Sequence, residues 1–449
     1  MRGSPHLAAA ACLLISGVAW ASDAGHGDGH GADDAGLGGV LVILGMVGVA
    51  YLIAHFFVDW VQNRFLVVSG LEYVLLGALL GPAVLVEVNV FKDLTALAPI
   101  IAFAAGWVGL LYGMQFERTS LMAVSDRSIR LGVADALGTA ITVTTGAWFL
   151  FESGLLGVPF SGNEAKVAAA AMGCAAAAGS TSAVDLLRLR YPGLETNLLD
   201  LLGRSAKTGD VIAIIAFGLI FCFFHEGTVR LGQVPDETDW LVTTVVLGGV
   251  LGILFTAFLG GESDENTRFL ALTGIIIFAS GAAFFLNLSA LLLNLILGAF
   301  IVNGRSGEGV YNTLIGTMRP IRLILLVFAG ALWTPVDPTL AVILAAAYIL
   351  VRLVSKMVSD WAASLGNPLR SDIFRGLMAQ GDVAIAMAIS FQIVYDGELI
   401  DLAYTAILIS IVIHEFIAPR ILKGLLVDAG ELRQDVEPVH PQSEAAAGG

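Results

Sequence analysis

The chain has 449 residues, of which 57% are hydrophobic and 14% are charged, and its formal net charge is −15. This composition, with a mean hydropathy of +0.84, excludes an ordinary soluble domain and is typical of a polytopic membrane protein. The acidic balance argues against a nucleic-acid partner, which requires a basic surface. Cys12, Cys174 and Cys222 lie in apolar segments without metal-ligand spacing, so we expect neither a disulfide nor a cofactor.

The first 21 residues predict a signal peptide. Arg2 provides a positive start, residues 7–17 form a short apolar stretch, and AWA at 19–21 resembles an A-x-A cleavage site. An uncleaved membrane helix is the alternative, but the apolar stretch is shorter than the roughly 20 residues that a span needs. We therefore expect cleavage after Ala21.

Residues 22–35 predict a flexible extracytoplasmic tail, because Gly, Asp and His dominate them. His26 and His30 could bind a metal ion, but a composition this polar favours a solvated leader over a metal site.

Thirteen apolar segments follow, and we interpret each as a membrane span. With the mature N-terminus outside, the cytoplasmic loops and the C-terminal tail carry fourteen Lys and Arg residues, against three in the external loops. The positive-inside rule requires this bias, so we expect an inner (plasma) membrane protein with a cytoplasmic C-terminus. The predicted segments cover residues 36–58, 64–86, 94–115, 127–151, 164–190, 196–224, 239–259, 268–286, 288–303, 311–334, 337–362, 372–396 and 400–425.

Polar residues interrupt two of these segments. The fifth contains GSTS at 179–182 after a run of alanines, and the twelfth contains QGD at 380–382. Such stretches are poor for a continuous helix and expose backbone dipoles. Because they occupy the same place among the first six and the last six segments, they predict two inverted six-helix repeats with two discontinuous crossing helices. The predicted fold class is an all-α polytopic membrane protein.

Charged residues inside the spans are functional hypotheses by default, because a charge in lipid is costly. Asp210 lies in the run KTGDVIAIIAFGLIF, one turn after Lys207. Arg352 and Lys356 are four residues apart and so share a helix face. These side chains could neutralise half-helix ends or coordinate an ion, and the alternative for each is a buried structural ion pair. The basic residues that we place within or at the edges of spans are Arg204, Lys207, Arg322, Arg352 and Lys356.

Some of these charges have neighbours along the chain that could pair with them. Arg204 could pair with Asp200, four residues earlier, and we expect Asp185 to pair with Arg188 near the cytoplasmic surface. Four further titratable residues within spans stay unassigned, namely Glu72, Asp135, His414 and Glu415.

Five strings, in order along the chain, resemble the monovalent cation/proton antiporters, which include sodium/proton exchangers and potassium-efflux-type transporters. YVLLGALLGP (73–82) is similar to an early helix that ends in Gly-Pro, and GSTSAV (179–184) resembles the first broken helix. TGDVIAIIAF (208–217) resembles the helix with the ion-binding aspartate. LGAFIVNG (297–304) resembles a helix of the dimerisation side, and AQGDVAIAMAISF (379–391) resembles the second broken helix. The likeness covers about residues 64–425.

The resemblance implies exchange of Na⁺ or K⁺ for protons by alternating access, in a homodimer embedded in lipid. Asp210 would hold either the cation or the proton, and Thr181 and Ser182 would supply further oxygen ligands. The residues that would compensate charge are Lys356, Arg352, Asp382 and Lys207. The implied domains are the signal peptide (1–21), the external tail (22–35), dimerisation or scaffold helices (36–116 and 239–335), core transport helices (127–225 and 337–425) and a cytoplasmic tail (426–449).

Two departures from the family pattern keep a second function open. Gly209 stands where the family usually has Asn, Asp or Gln, and Asp382 stands where Glu is common. The alternative is an ion channel, or a non-transporting ion- or pH-sensing subunit, in which Lys207 would hold Asp210 in a permanent salt bridge. An intramembrane aspartyl protease would need a Gly-x-Gly-Asp motif, which neither Gly-Asp pair provides, so we expect no enzyme.

Overall fold

A computed structural model of the chain describes residues 70–81, 97–118, 125–155, 160, 162–191, 193–194, 196–225, 237–259, 264–304, 310–311, 314, 316–365 and 369–432. The predicted signal peptide, external tail and first span lie outside the described residues, as do most of the loops that would carry the external basic residues.

The described chain is helical, and no strand occurs within these ranges. The α-helices are α1 (Leu71–Leu80), α2 (Ala98–Gly113), α3 (Asp126–Glu152), α4 (Asn163–Ala177), α5 (Ser182–Arg190), α6 (Asn197–Phe223), α7 (Glu237–Leu259), α8 (Glu265–Phe285), α9 (Ala290–Val302), α10 (Met318–Ala331), α11 (Pro338–Ser364), α12 (Asp382–Val394) and α13 (Glu398–Asp428).

Eight helical stretches of the described residues are long and apolar enough to cross a membrane, and three shorter apolar helices accompany them. Large apolar side chains such as Phe149, Phe258 and Phe285 are exposed on the outer faces of these helices, where lipid would cover them. These features are those of a multi-pass membrane protein, and the total of thirteen spans stays a prediction.

Polar residues determine where several of these helices begin. The Ser125 hydroxyl accepts the backbone N–H of Ser128 at the start of α3, and the Thr196 hydroxyl accepts that of Leu199 at the start of α6. Asn287, between α8 and α9, has a positive φ of 51°. This backbone conformation is not helical, so it separates the two helices. The predicted division between segments 268–286 and 288–303 is therefore present at the predicted residue.

The helices pack in two groups. The first helix group consists of α1, α2, α7, α8, α9 and α10, and its most extensive contacts join α2 to α9 and α1 to α10. The second helix group consists of α3 to α6 and α11 to α13, centred on α3 with α4, α6 and α11. Across the boundary, α2, α7 and α9 contact α6, while α2 and α10 contact α12.

Glycines fix the closest approach within the first helix group. A Cβ atom on Gly109 would lie 2.2 Å from the carbonyl oxygen of Leu291, and one on Gly113 would lie 2.1 Å from that of Leu295. Only glycine permits this separation of α2 and α9, as in other closely packed membrane helices.

The two predicted breaks are present, but they differ in form. Residues 178–181 separate α4 from α5, so the first crossing consists of two helices. At the second crossing, a 3-10 turn (Ile373–Gly376) and extended residues 377–381 precede α12. The discontinuity predicted at residues 380–382 is thus present, with a 3-10 turn and extended residues ahead of α12. Gly376 and Gly381 disfavour helix there, and the Met378 carbonyl accepts a hydrogen bond from Arg352 instead.

Candidate functional site

Asp210 lies at the midpoint of α6, fourteenth of its 27 residues, and its side chain is fully buried. The Tyr112 hydroxyl, from the end of α2, donates to Asp210 Oδ2 at 2.8 Å. Asp210 Oδ1 is buried and has no hydrogen-bond partner among the described residues. Because α2 and α6 belong to different helix groups, the carboxylate lies on the boundary between the groups.

The first helix break lies beside Asp210. The backbone N–H of Gly179 interacts with the Asp210 carboxylate, and the charges of Asp382 and Lys356 act on it from farther away. Gly209 leaves space at this point, because a Cβ atom there would meet Ala136 Cβ and the Gly132 carbonyl oxygen only at 3.7 Å. The close approach that requires glycine is instead at Gly381, whose Cβ would lie 2.3 Å from Ser180 Oγ of the other crossing.

Arg352 satisfies the carbonyl ends of both crossings. Its Nε donates to the Ala176 oxygen at 3.0 Å, at the end of α4, and its Nη1 donates to the Met378 oxygen at 2.9 Å. The carbonyl end of a helix carries partial negative charge, so the buried guanidinium compensates the end of α4. It also provides a donor for a carbonyl group of the extended residues before α12. Gln380 adds a further link, since its Nε2 donates to the Ala175 oxygen at 2.7 Å.

Acidic side chains occupy the opposite, N-terminal ends of the crossings. Ser182 and Asp382 are the first residues of α5 and α12, and Ser182 Oγ donates to Glu415 Oε1 of α13 at 3.1 Å. Arg322 of α10 lies 3.0 Å from Asp382 Oδ1 and 3.7 Å from Glu415 Oε2. Helix N-termini carry partial positive charge and stabilise anions. The acids Asp382 and Glu415 therefore compensate the N-terminal ends, as Arg352 compensates carbonyl groups on the other side of the breaks.

Lys356 does not reach Asp210. Its Nζ contacts both oxygens of Asp135 on α3, at 2.9 Å and 2.6 Å, and this ion pair is buried. Lys356 therefore neutralises the Asp135 carboxylate on the adjacent helix, and no ion pair joins it to Asp210 among the described residues. A third titratable residue, Asp360, lies one turn after Lys356 on α11 and is fully buried.

Several predicted residues lie away from Asp210. Lys207 is exposed on α6; both it and Asp210 belong to the described part of the chain, and no ion pair joins them. The Thr181 hydroxyl donates to Asp185 at 2.8 Å, so it faces a different acid. Arg188 pairs with Asp200 and not with Asp185 as expected, because α5 lies alongside the start of α6.

Sequence patterns gave no sign of some partners, because those partners are distant along the chain. Tyr112 and Asp210 are separated by 98 residues, and nothing in the α2 sequence marks this tyrosine. Arg322, by contrast, was detectable as a charge in an apolar segment, although its acidic partners were not. Within the described residues, no group of three or more His, Cys, Asp or Glu side chains is arranged to hold a metal ion.

Comparisons with known proteins give one informative result. No protein-family model and no curated protein matches the chain. Among solved structures, the chain is similar to a sodium proton antiporter from Methanocaldococcus jannaschii, MjNhaP1 at pH 8, with a TM-score of 0.56 and 14% identity over 85% of this chain and 99% of that one. The chain therefore has the fold of a cation/proton antiporter. The predicted all-helical membrane fold is confirmed.

Proposed function

We propose that the protein exchanges a monovalent cation, Na⁺ or K⁺, for protons, and that the cation and the proton compete for the Asp210 carboxylate. The observation that carries this proposal is the setting of Asp210: a buried acid at the middle of a spanning helix, beside a helix break, with one oxygen left without a hydrogen bond. The fold of a solved sodium proton antiporter supports the same conclusion.

The residues around Asp210 suit this competition. A hard cation prefers oxygen ligands, and the Asp210 Oδ1 atom, the Tyr112 hydroxyl and the carbonyl groups of the break are oxygens within the same region. A proton on the carboxylate removes the charge that attracts the cation. Arg352 neutralises the carbonyl ends of the crossings, so the charge that changes during exchange is that of Asp210.

Movement of one helix group against the other would expose Asp210 to each side in turn. The Tyr112 bond to Asp210 and the Arg322 pairs with Asp382 and Glu415 both cross the group boundary, so they would break and re-form in such a cycle. Thr181 and Ser182 would then serve as ligands along the access route. Assembly as a homodimer, the plasma-membrane location and the orientation of both termini stay predictions from the sequence.

The test is cation-driven proton flux in proteoliposomes, with Na⁺ and K⁺ supplied separately. We expect Asp210→Asn to abolish flux, because the amide can neither release a proton nor neutralise a cation. Asp200→Asn is the matched control on the same helix, and it should retain most of the flux because Asp200 is exposed. Undiminished flux in Asp210→Asn would overturn the assignment.

The same assay addresses the alternative of a channel or sensing subunit. That alternative rested on Gly209 and on a salt bridge between Lys207 and Asp210, and the exposed position of Lys207 argues against the salt bridge. If added Na⁺ or K⁺ causes no change in the proton flux of the wild-type protein between about pH 6 and about pH 9, the result would favour the alternative.

A further inference from the structure

We propose that Asp135, Lys356 and Asp360 form a second proton-binding site, separate from Asp210, in which Asp360 carries the proton. Lys356 Nζ is bound to both oxygens of Asp135. Asp360 is 0% exposed, and neither of its carboxylate oxygens has a hydrogen-bond partner among the described residues. A polar side chain that is buried and unpaired in a native structure requires an explanation.

The net charge of the three side chains indicates that the partner of Asp360 is a proton. With both carboxylates ionised, the ammonium group cancels one charge and leaves one net negative charge in a buried place. One proton on Asp360 makes the cluster neutral and supplies an O–H donor. Thr139 Oγ1, one turn after Asp135 on α3, is also buried and has no hydrogen-bond partner among the described residues, so an acceptor lies on the same face of α3.

Other charged groups around these three side chains do not pair with Asp360. Among the described residues, the charges that act on Asp360 are those of Asp135 and Lys356. From α13, His414 faces Lys356 and Arg352, and its Nδ1 lies 2.8 Å from the Ser410 carbonyl oxygen, to which it donates. Arg352 donates to carbonyl groups of the crossings, and its charge acts on Asp135 and Lys356 but is not among the charges that act on Asp360. Arg375 of the 3-10 turn is paired with Asp372 and Asp428.

The position of the cluster distinguishes it from the Asp210 site. Asp360 is residue 23 of the 27 in α11, about 13 Å along the axis from the middle of that helix. In the predicted orientation this is the cytoplasmic half, whereas Asp210 is at mid-helix. Lys356 acts electrostatically on both Asp210 and Asp360. On the proposed function, a proton on Asp360 would therefore change the field that a cation meets at Asp210.

Infrared difference spectroscopy of the purified full chain, titrated between about pH 5 and about pH 9, tests the site without requiring transport. We expect a protonated-carboxyl component that Asp210→Asn and Glu415→Gln retain and that Asp360→Asn loses completely. Lys356→Met provides a second variant in case Asp360→Asn fails to fold. Without the ammonium group, Asp135 also needs a proton, so the protonated-carboxyl signal should increase.

Two results would overturn the proposal. One is an Asp360→Asn spectrum that keeps every protonated-carboxyl component of the wild type. The other is an unchanged signal in folded Lys356→Met. Proteoliposome flux is a separate readout. In the wild type we expect flux to depend on pH between about pH 6 and about pH 9, and Asp360→Asn should reduce this pH dependence at least threefold. If the wild type shows no flux, the proposed function fails, whereas the spectroscopic result on Asp360 still stands or falls by itself.

Discussion

At the scale of single residues, three cations in the apolar segments have different partners. Arg352 binds carbonyl groups, Lys356 binds Asp135, and Arg322 binds acids across the group boundary. The sequence was sufficient to select these cations, because each is a charge in an apolar segment. It could not assign their partners, since Arg352 and Lys356 share one helix face yet reach different helices.

Replacing Arg352 by Gln should destabilise the protein by about 1–3 kcal/mol, because buried carbonyl acceptors lose their charged donor. Thermal unfolding in detergent measures this loss. Arg352→Lys should recover only part of the stability, since one ammonium group cannot reproduce the planar fork that reaches Ala176 and Met378. Arg130→Gln, on an exposed face of α3, is the control and should change little. Equal stability of Arg352→Gln and Arg130→Gln would contradict this role.

At the scale of helices, the breaks were predictable and their form was not. The alanine run and GSTS at 179–182 end α4 where the sequence indicates. The second crossing begins with extended residues, because carbonyl groups that a helix would use internally are bound by a residue on α11. Local propensity contains no information about such a distant donor.

Gly209 offers a prediction for α6. Glycine inside a helix costs about 1 kcal/mol relative to Ala, and a Cβ atom at this position meets no atom closer than 3.7 Å. Gly209→Ala should therefore raise thermal stability slightly and leave cation-driven flux unchanged. A matched substitution, Gly381→Ala, should lower stability because its Cβ would collide with Ser180. Loss of stability in Gly209→Ala would show that the helix needs glycine there.

At the scale of the whole molecule, contacts within the helix groups differ from contacts between them. Glycines bring α2 and α9 together within one group. Between the groups, the described side-chain contacts include single hydrogen bonds, which can break and re-form with other partners. One example is the Tyr404 hydroxyl, which donates to the Ala329 carbonyl oxygen at 2.6 Å. The two groups follow from packing over long sequence separations, which apolar periodicity alone does not specify.

Tyr404→Phe tests whether this boundary moves during the proposed exchange. The bond joins α13 to α10 and does not involve Asp210, so its loss should change maximal flux at least twofold while the apparent cation affinity stays constant. Tyr348→Phe is the control, because the Tyr348 hydroxyl donates to the Met172 oxygen inside the second helix group. If both variants change maximal flux equally, the effect reflects general packing and not the boundary.

The position of Tyr112 has a thermodynamic consequence. Gly109 and Gly113 fix the end of α2 against α9, so the Tyr112 hydroxyl stays with the first helix group while Asp210 belongs to the second. A shift of one group would give the carboxylate a different set of neighbours in each orientation. The two faces of the membrane would then present sites of unequal affinity for the same ion. Detailed balance then requires the reorientation equilibria of the loaded and the empty site to differ by the same factor as the two affinities.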